Sequence, residues 1–197
     1  MELPILKNID LKEYIGPIPN SNWVFKGKLL VGGYPYNINA KKSYVKVLRK
    51  IGITNYVSLQ TEAELSKLVS YQTDLEEETF HNFEIADRKI ATDEDTLSYV
   101  QAIANLLDVD DTMLYMHCLG GHGRTGIIVT LLIAHYYELT AVNALRYTQT
   151  LHNARFLDQK EILHKELTKR ISKKNAHYFS PQTTPQLNQV RRLITLV

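Results

Sequence analysis

The chain has a single cysteine, Cys118, among its 197 residues. One thiol can neither close an intramolecular disulfide nor supply a cysteine-rich metal site, so a disulfide-stapled secreted scaffold is excluded and a reducing compartment, cytoplasmic or nuclear, is expected. Charge of one sign is also scarce. The formal net charge is +2 and no run of lysine or arginine exceeds two residues, which leaves no bulk electrostatics for nucleic-acid binding. Long apolar runs are missing as well. The longest, Ile127 to Ala134 with Thr130 inside it, is less than half the roughly 20 residues that span a bilayer, so stable membrane insertion is not expected. The opening segment, Met1 to Asp10, is interrupted by Glu2, Lys7 and Asp10 and does not read as a secretory signal.

What remains is a chain that is 44% hydrophobic, enough for one α/β domain over residues 1–197, with a lead at 1–22 and an extra helix and loop at about 155–180. Trp23 to Phe25 and Leu29 to Val31 flank Lys26-Gly27-Lys28 as two short strands around a turn. Lys41 to Lys50 is expected to be a helix with Tyr44, Val45, Val47, Leu48 and Ile51 on its apolar face, stopped by Gly52 before a strand from Ile53 to Leu59. Thr61-Glu62-Ala63-Glu64 has the form of a helix start, Phe80 to Ile85 of a strand, and Thr92 to Leu107 of an amphipathic helix leading to a buried strand at 113–116. Helices follow at about Ile127 to Tyr137, at about Thr140 to His152 with Thr140 as N-cap, at Gln159 to Ser172, and from Gln186. This alternation predicts an α/β fold: a central, mostly parallel sheet of four to five strands flanked by helices, with a C-terminal helical extension.

Between the strand at 113–116 and the helix at 127 lies His117-Cys118-Leu119-Gly120-Gly121-His122-Gly123-Arg124-Thr125-Gly126. The thiolate is the reactive form of cysteine, and three features favour it: inward-pointing N–H groups of a glycine-rich turn, the positive end of the following helix, and the Arg124 guanidinium. The same features bind a phosphate dianion. Gly120, Gly121 and Gly123 permit close backbone approach, and Arg124 offers a planar fork to two phosphoryl oxygens, which a lysine could not.

His-Cys, five residues, then Arg-Thr-Gly, entered from a strand and leaving into a helix, resembles the signature of the cysteine-dependent protein tyrosine phosphatase superfamily, in its dual-specificity-like branch. The resemblance implies a three-layer phosphatase domain and a phosphoric monoester hydrolase that works through a phosphocysteine intermediate without metal or other cofactor. It assigns Cys118 as nucleophile, residues Leu119 to Arg124 as the phosphate cradle, and an aspartate some 30 residues upstream as general acid and then base. Asp87, in Phe83 to Asp95, is that candidate. Ala91 stands where the family places a proline, which loosens the loop in principle. Glu84, Asp93 and Asp95 are the rival carboxylates, the last two also readable as helix-start charges. Thr125 stands where the family's hydroxyl bonds the sulfur, and is equally readable as a plain N-cap. His117 is a supporting organiser of the loop. Gln186, in Thr183 to Val190, matches a segment that positions water, with a surface glutamine as the plainer reading.

For the substrate, the resemblance implies phosphotyrosine, phosphoserine or phosphothreonine in proteins, since no aromatic clamp for a deep pocket stands in the N-terminal region. A phosphoinositide or inositol phosphate is the alternative. His122, read as pointing towards the mouth of the cradle, would supply a second positive charge below about pH 6.5, with Arg88 and Lys89 as further cations, whereas Leu119 lacks the basic character such relatives carry. A catalytically silent phosphate-binding scaffold and a rhodanese-type sulfur-transfer enzyme are the readings from other classes. Leu30 to Pro35 resembles a strand-turn that opens many such domains and serves either as a wall of the site or as a simple turn. The segment at about 155–180 is a possible surface for a protein partner.

Overall fold

The computed structural model describes residues 3–159 and 176–197. β1 (Ser21–Phe25) and β2 (Leu29–Gly32) pair antiparallel, and a small hairpin of β3 (Tyr36–Asn37) and β4 (Lys42–Ser43) leads to α1 (Val45–Lys50). β5 (Asn55–Ser58), α2 (Glu62–Leu65), β6 (Thr79–Asn82), α3 (Asp93–Asp108) and β7 (Leu114–His117) follow. α4 (Gly123–Tyr137), α5 (Ala141–His152) and a C-terminal helix (Thr184–Leu193) complete the arrangement. The main sheet has five strands in the order β1-β2-β7-β5-β6, parallel except for β1. It is the expected mixed, mostly parallel sheet with helices on both faces.

Alternation along the strands splits the core into two layers. Val31, Val57 and Met116 face α3, α4, α5 and the C-terminal helix, whereas Leu30, Tyr56 and Tyr115 face α1 with Val45 and Leu48. β7, central and buried on both sides, therefore needs no polar position, and its sequence Leu-Tyr-Met-His has none until the last residue. α4 is buried from Gly123 through Ala134, which is why its sequence is apolar all round. The Thr130 hydroxyl in its middle is satisfied by the Gly126 carbonyl at 2.7 Å and Thr148 at 2.9 Å.

Several boundaries depart from expectation for local reasons. The helix expected over Lys41 to Lys50 begins only at Val45, because Lys42 and Ser43 are taken up in pairing with β3, Lys41 turns through φ = +47°, and the Tyr44 N–H bonds the Pro35 carbonyl. β6 stops at Asn82 because its partner β5 ends at Ser58; the Phe83 N–H still reaches the Ser58 carbonyl, and the chain then leaves the sheet. α4 starts four residues before Ile127, so Arg124 is already helical. The C-terminal helix opens at Thr184, ahead of Gln186. The helix expected from Gln159 to Ser172 lies, after its first residue, outside the described residues, as does most of the extra segment at 155–180. No helix among the described residues is long and apolar enough to cross a membrane.

Candidate active site

The parallel strands β2, β7 and β5 end in register, with Gly32 and Ser58 on either side of His117, so the loop after β7 opens at the carboxyl edge of the sheet, between two walls. Open α/β sheets bind ligands at this edge. Cys118 is the first residue beyond the strand and is 3% exposed. The loop then turns back over its own sulfur. The Gly121 N–H donates to Cys118 Sγ at 3.2 Å, and Gly121 adopts φ = +75° with its α-carbon so close to β2 that a Cβ there would stand 2.3 Å from the Gly32 carbonyl group. Only glycine combines that dihedral with that approach. On the same side the Tyr34 N–H donates to the Leu119 carbonyl at 2.9 Å. Leu30 to Pro35 is therefore a wall of the loop as well as a turn.

Two side chains brace this loop from below, His117 buried and Arg155 half-buried. His117 Nδ1 lies 3.3 Å from the Cys118 carbonyl and its Nε2 lies 2.7 Å from the Tyr71 hydroxyl. Burial first, then the positive Arg124, pushes the ring down to about 3, against a partial offset from the Cys118 carbonyl. The imidazole is thus neutral, donating from Nδ1 to the carbonyl and accepting at Nε2 from the tyrosine. Arg155 donates to the Gly121 carbonyl at 3.0 Å, to Asn22 Oδ1 at 2.6 Å and to the Val31 carbonyl at 3.2 Å, tying the loop to β1 and β2. Burial lowers its guanidinium to about 10, still charged at neutral pH.

Arg124, in the first turn of α4, is fully enclosed. Its Nη1 donates to Glu64 Oε2 and to the Ile85 carbonyl, both at 2.8 Å, and its Nη2 donates to Glu64 Oε1 at 3.0 Å and to Asp87 Oδ1 at 3.1 Å. Glu64 grips the fork bidentately while its own backbone and side chain form the capping box of α2 with Thr61. Burial of Glu64 opposes ionisation, but the Arg124 hydrogen bond and the Thr61 amide outweigh it and hold the carboxyl below its ordinary range.

Asp87 is 56% exposed and is the one expected carboxylate that the structure brings to Arg124. Its rivals are engaged elsewhere. Glu84 accepts from the Glu62 N–H, Asp93 pairs with Arg192, and Asp95 closes on the Thr92 cap of α3, so the helix-start reading of Asp93 and Asp95 holds. The loop bearing Asp87 lacks the family's proline, but it is tethered from the C-terminal helix: Gln186 donates to the Lys89 carbonyl at 3.2 Å and Gln189 to the Ala91 carbonyl at 2.8 Å. Gln186 is fully buried, and its Oε1 accepts from the Gln182 and Thr183 N–H groups, so the surface reading of this glutamine is wrong.

Thr125 and His122 need correction. Thr125 sits inside the first turn of α4, with His122 in the N-cap position, so the N-cap reading fails; its hydroxyl is buried with no hydrogen-bond partner among the described residues, Cys118 Sγ included. His122 is not a free cation. Its Nδ1 contacts His152 Nε2 at 2.9 Å, and burial, followed by the charges of Arg155 and His177, pushes it down to about 3. That packing disfavours a second positive charge on His122 near pH 6. The cleft above the sulfur, about 300 Å³, is lined by Cys118, Leu119, Gly120, Gly123, Arg124 and Asp87 together with Arg88, His122, His177, Gln182 and Gln186. Gly121 supports it from behind. Among the described residues no group of histidine, cysteine, aspartate or glutamate side chains could hold a metal ion.

Reading the sequence missed Glu64, Tyr71, Arg155 and His152. Thr61 to Glu64 carried a capping-box signal, and a buried arginine demands a carboxylate, but nothing in the sequence joined the two. The other three are isolated polar residues with no motif around them.

Residues 18–173 match the family described as PTP-SAK, Swiss Army Knife protein, DSP-PTPase phosphatase domain. Protein 197R of Invertebrate iridescent virus 6, which carries a tyrosine-phosphatase name, is 30% identical over 144 residues, 71% of this chain and 51% of its own. The chain spans about half the length of the curated relatives it matches. Among solved structures, Tk-PTP in its active form aligns with TM-score 0.66 and 16% identity over 91% of this chain and 99% of that one. PTPMT1 in complex with PI(5)P aligns with TM-score 0.64 and 11% identity over 90% and 96%. At these identities the two structures speak to the fold.

Proposed function

The chain belongs to the cysteine-dependent protein tyrosine phosphatase superfamily, in its dual-specificity-like branch, and from that premise we propose that it hydrolyses phosphomonoesters through a phosphocysteine intermediate, with phosphotyrosine, phosphoserine and phosphothreonine side chains of proteins as substrates. The observation that carries the reading is the convergence on one cleft of Cys118 Sγ, held by the Gly121 N–H, with Arg124 and with Asp87 at 3.1 Å from that guanidinium.

The Cys118 thiolate attacks phosphorus; the P–S bond forms as the P–O bond to the substrate breaks, and Asp87 gives its proton to the departing oxygen. The incoming dianion competes with Asp87 for the Nη2 hydrogen of Arg124, so substrate binding turns the carboxyl from the guanidinium towards the leaving group. Glu64 stays on the other edge of the fork and keeps the arginine aimed. In the second step water attacks phosphorus, the P–S bond breaks to regenerate the thiolate, and Asp87 takes the water's proton, releasing inorganic phosphate. The buried amide of Gln186, at the floor of the cleft, positions that water. Thr125, whose hydroxyl has no hydrogen-bond partner among the described residues, is free to donate to the sulfur as charge returns to it.

Protein substrates are favoured over phosphoinositides because the cation on which the lipid reading rested, His122, is neutral, which leaves Arg88 as an exposed lysine- or arginine-type cation on the cleft among the described residues, with the exposed ring of His177 beside it. A thiolate nucleophile of this kind works in a reducing compartment, the cytosol or nucleus. The test is hydrolysis of a small aryl phosphate and of phosphopeptides, with mass-spectrometric trapping of a phosphate on Cys118 at short times. Turnover by the wild type and none by Cys118→Ser is the expected result. Equal activity in both, or a wild type inert on every phosphomonoester, would falsify the assignment in favour of a binding scaffold.

A further inference from the structure

The mechanism leaves one ring nitrogen of the cleft unused. His122, the fourth residue after Cys118, lines the cleft, and its Nδ1 lies 2.9 Å from Nε2 of His152 at the end of α5. His152 is 2% exposed, and its other nitrogen, Nδ1, is buried without a hydrogen-bond partner among the described residues. A shared extra proton is disfavoured: burial first, then Arg155 and the facing His177, push both rings below their ordinary range. Two neutral arrangements then satisfy the contact. If His122 Nδ1–H donates, His152 must carry its proton on Nδ1, an orphaned N–H in the interior. If His152 Nε2–H donates, only a lone pair is left unused there. An unmet buried donor is rarer and costlier than an unmet lone pair, so His152 is the donor and accordingly His122 carries its own proton on Nε2.

That N–H stands over Gly120, where a Cβ would come within 3.1 Å of Nε2, and it has no protein acceptor among the described residues. Beside it Leu119 is 49% exposed and apolar. A neutral N–H next to an apolar side chain matches an uncharged oxygen. A second phosphate would call for a cation bonded in the same place; Arg88, the exposed cation of the cleft, is carried by the acid loop, and the His177 ring lies 6.5 Å from that of His122.

We infer that His122 is a specificity-determining hydrogen-bond donor that recognises an uncharged acceptor oxygen beside the reacting phosphate, the main-chain carbonyl of a phosphopeptide, and that His152 is the positioning residue that fixes its tautomer. The inference rests on the phosphatase reading above.

Nitrogen-15 spectra of ring-labelled wild-type protein test the tautomer without activity: His122 should show a protonated Nε2 and a bare Nδ1 throughout pH 5.5 to 7.5, and the opposite pattern or a ring that titrates in that window overturns the inference. For recognition, His122→Leu should raise KM for a phosphotyrosine peptide about five- to tenfold, the worth of one neutral hydrogen bond, equally at pH 5.5 and 7.5. His122→Gln, which keeps a neutral donor, should fall within about threefold of wild type. A KM unchanged in the leucine variant, a loss confined to pH 5.5, or a loss seen with a phosphoinositide and not with the peptide sinks the proposal. In each of those cases wild-type turnover and its abolition in Cys118→Ser leave the phosphatase reading standing, whereas a wild type inert on an aryl phosphate removes that reading first.

Discussion

The nucleophile loop and the acid loop face each other across one cleft, but they are held by different means. Residues 117–124 grow from the central strand, close on their own sulfur, lean on β2 through backbone, and are braced from below by His117 and Arg155. Residues 85–92 leave from the edge strand β6, turn at Arg88 with φ = +59°, and are fastened by the side-chain amides of Gln186 and Gln189. The first region must keep a ring of donors fixed around charge that develops in the transition state, and such preorganisation belongs in a buried, over-determined frame. The second carries a group that serves twice, as acid and as base, and that starts on Arg124. Its attachment through side chains leaves the backbone room to follow the carboxyl.

The largest expected effect separates the chemistry on the two sides. Asp87→Asn removes proton delivery and leaves the cradle intact, so kcat on a phosphopeptide should fall on the order of 10²- to 10³-fold with KM within about threefold. The loss should shrink for an aryl phosphate whose phenolate departs without a proton. If the loss is the same for both leaving groups, Asp87 is not the acid and Glu84 becomes the residue to test.

Arg155→Met probes the fixed side. It strips a half-buried cation from three acceptors, the Gly121 and Val31 carbonyls and Asn22. Hydrogen bonds to charged groups and the cost of leaving acceptors unmet set the loss at about 3 kcal/mol of stability, read as a fall in the denaturant midpoint. The rate of Cys118 alkylation by iodoacetamide at pH 6 should fall with it, since Gly121 holds the sulfur. Normal stability and normal alkylation in this variant would mean that the cradle is set by its own glycines.

Acidification breaks the same side by another route. The folded-state pKa of His117 is about 3, against roughly 6.5 in an unfolded chain. Unfolded protein therefore binds a proton that the native protein refuses. The stability contributed by the neutral ring is complete above about pH 6.5 and is lost as pH falls towards 3, amounting to roughly 2 kcal/mol at pH 5. Denaturant unfolding at pH 7 and pH 5 should show this drop, and His117→Gln should remove that part of it. A wild-type midpoint that does not move between the two pH values contradicts a buried neutral His117.

The same contrast explains what the sequence made legible. The nucleophile loop is contiguous, so ten residues carried cysteine, glycines, arginine and helix start together, and the strand and helix on either side followed from unbroken apolar runs. Asp87 was reachable only by its distance from Cys118, because an exposed loop has no periodicity. The braces were out of reach. Glu64, Tyr71 and His152 lie between 30 and 60 residues from the side chains they hold, and Arg155 lies 34 residues from the Gly121 carbonyl and 133 from Asn22; each is an ordinary polar residue until the sheet order brings it in. Burial misled in the same way: His122 looked like a surface charge because nothing in its neighbours announces that α5 packs a second histidine against it.

Gln189→Ala is the smallest and most discriminating change. Gln189 is fully buried on the C-terminal helix, and its amide donates to the Ala91 carbonyl at 2.8 Å and lies 3.1 Å from both Asp93 Oδ1 and Thr96 Oγ1. Alanine leaves that carbonyl unmet at the end of the acid loop and touches nothing at the sulfur. The stability loss should be about 1 kcal/mol, the net worth of a neutral hydrogen bond, well below that of Arg155→Met. Turnover should respond out of proportion, with kcat down several-fold and cysteine alkylation unchanged, since the tether is on the acid side alone. If alkylation slows along with turnover, the two loops are one unit and the division between a fixed and a side-chain-tethered wall is wrong. If neither moves while the 1 kcal/mol is lost, Gln189 supports the helix packing only, and Gln186 at the Lys89 carbonyl is then the tether that sets where Asp87 stands.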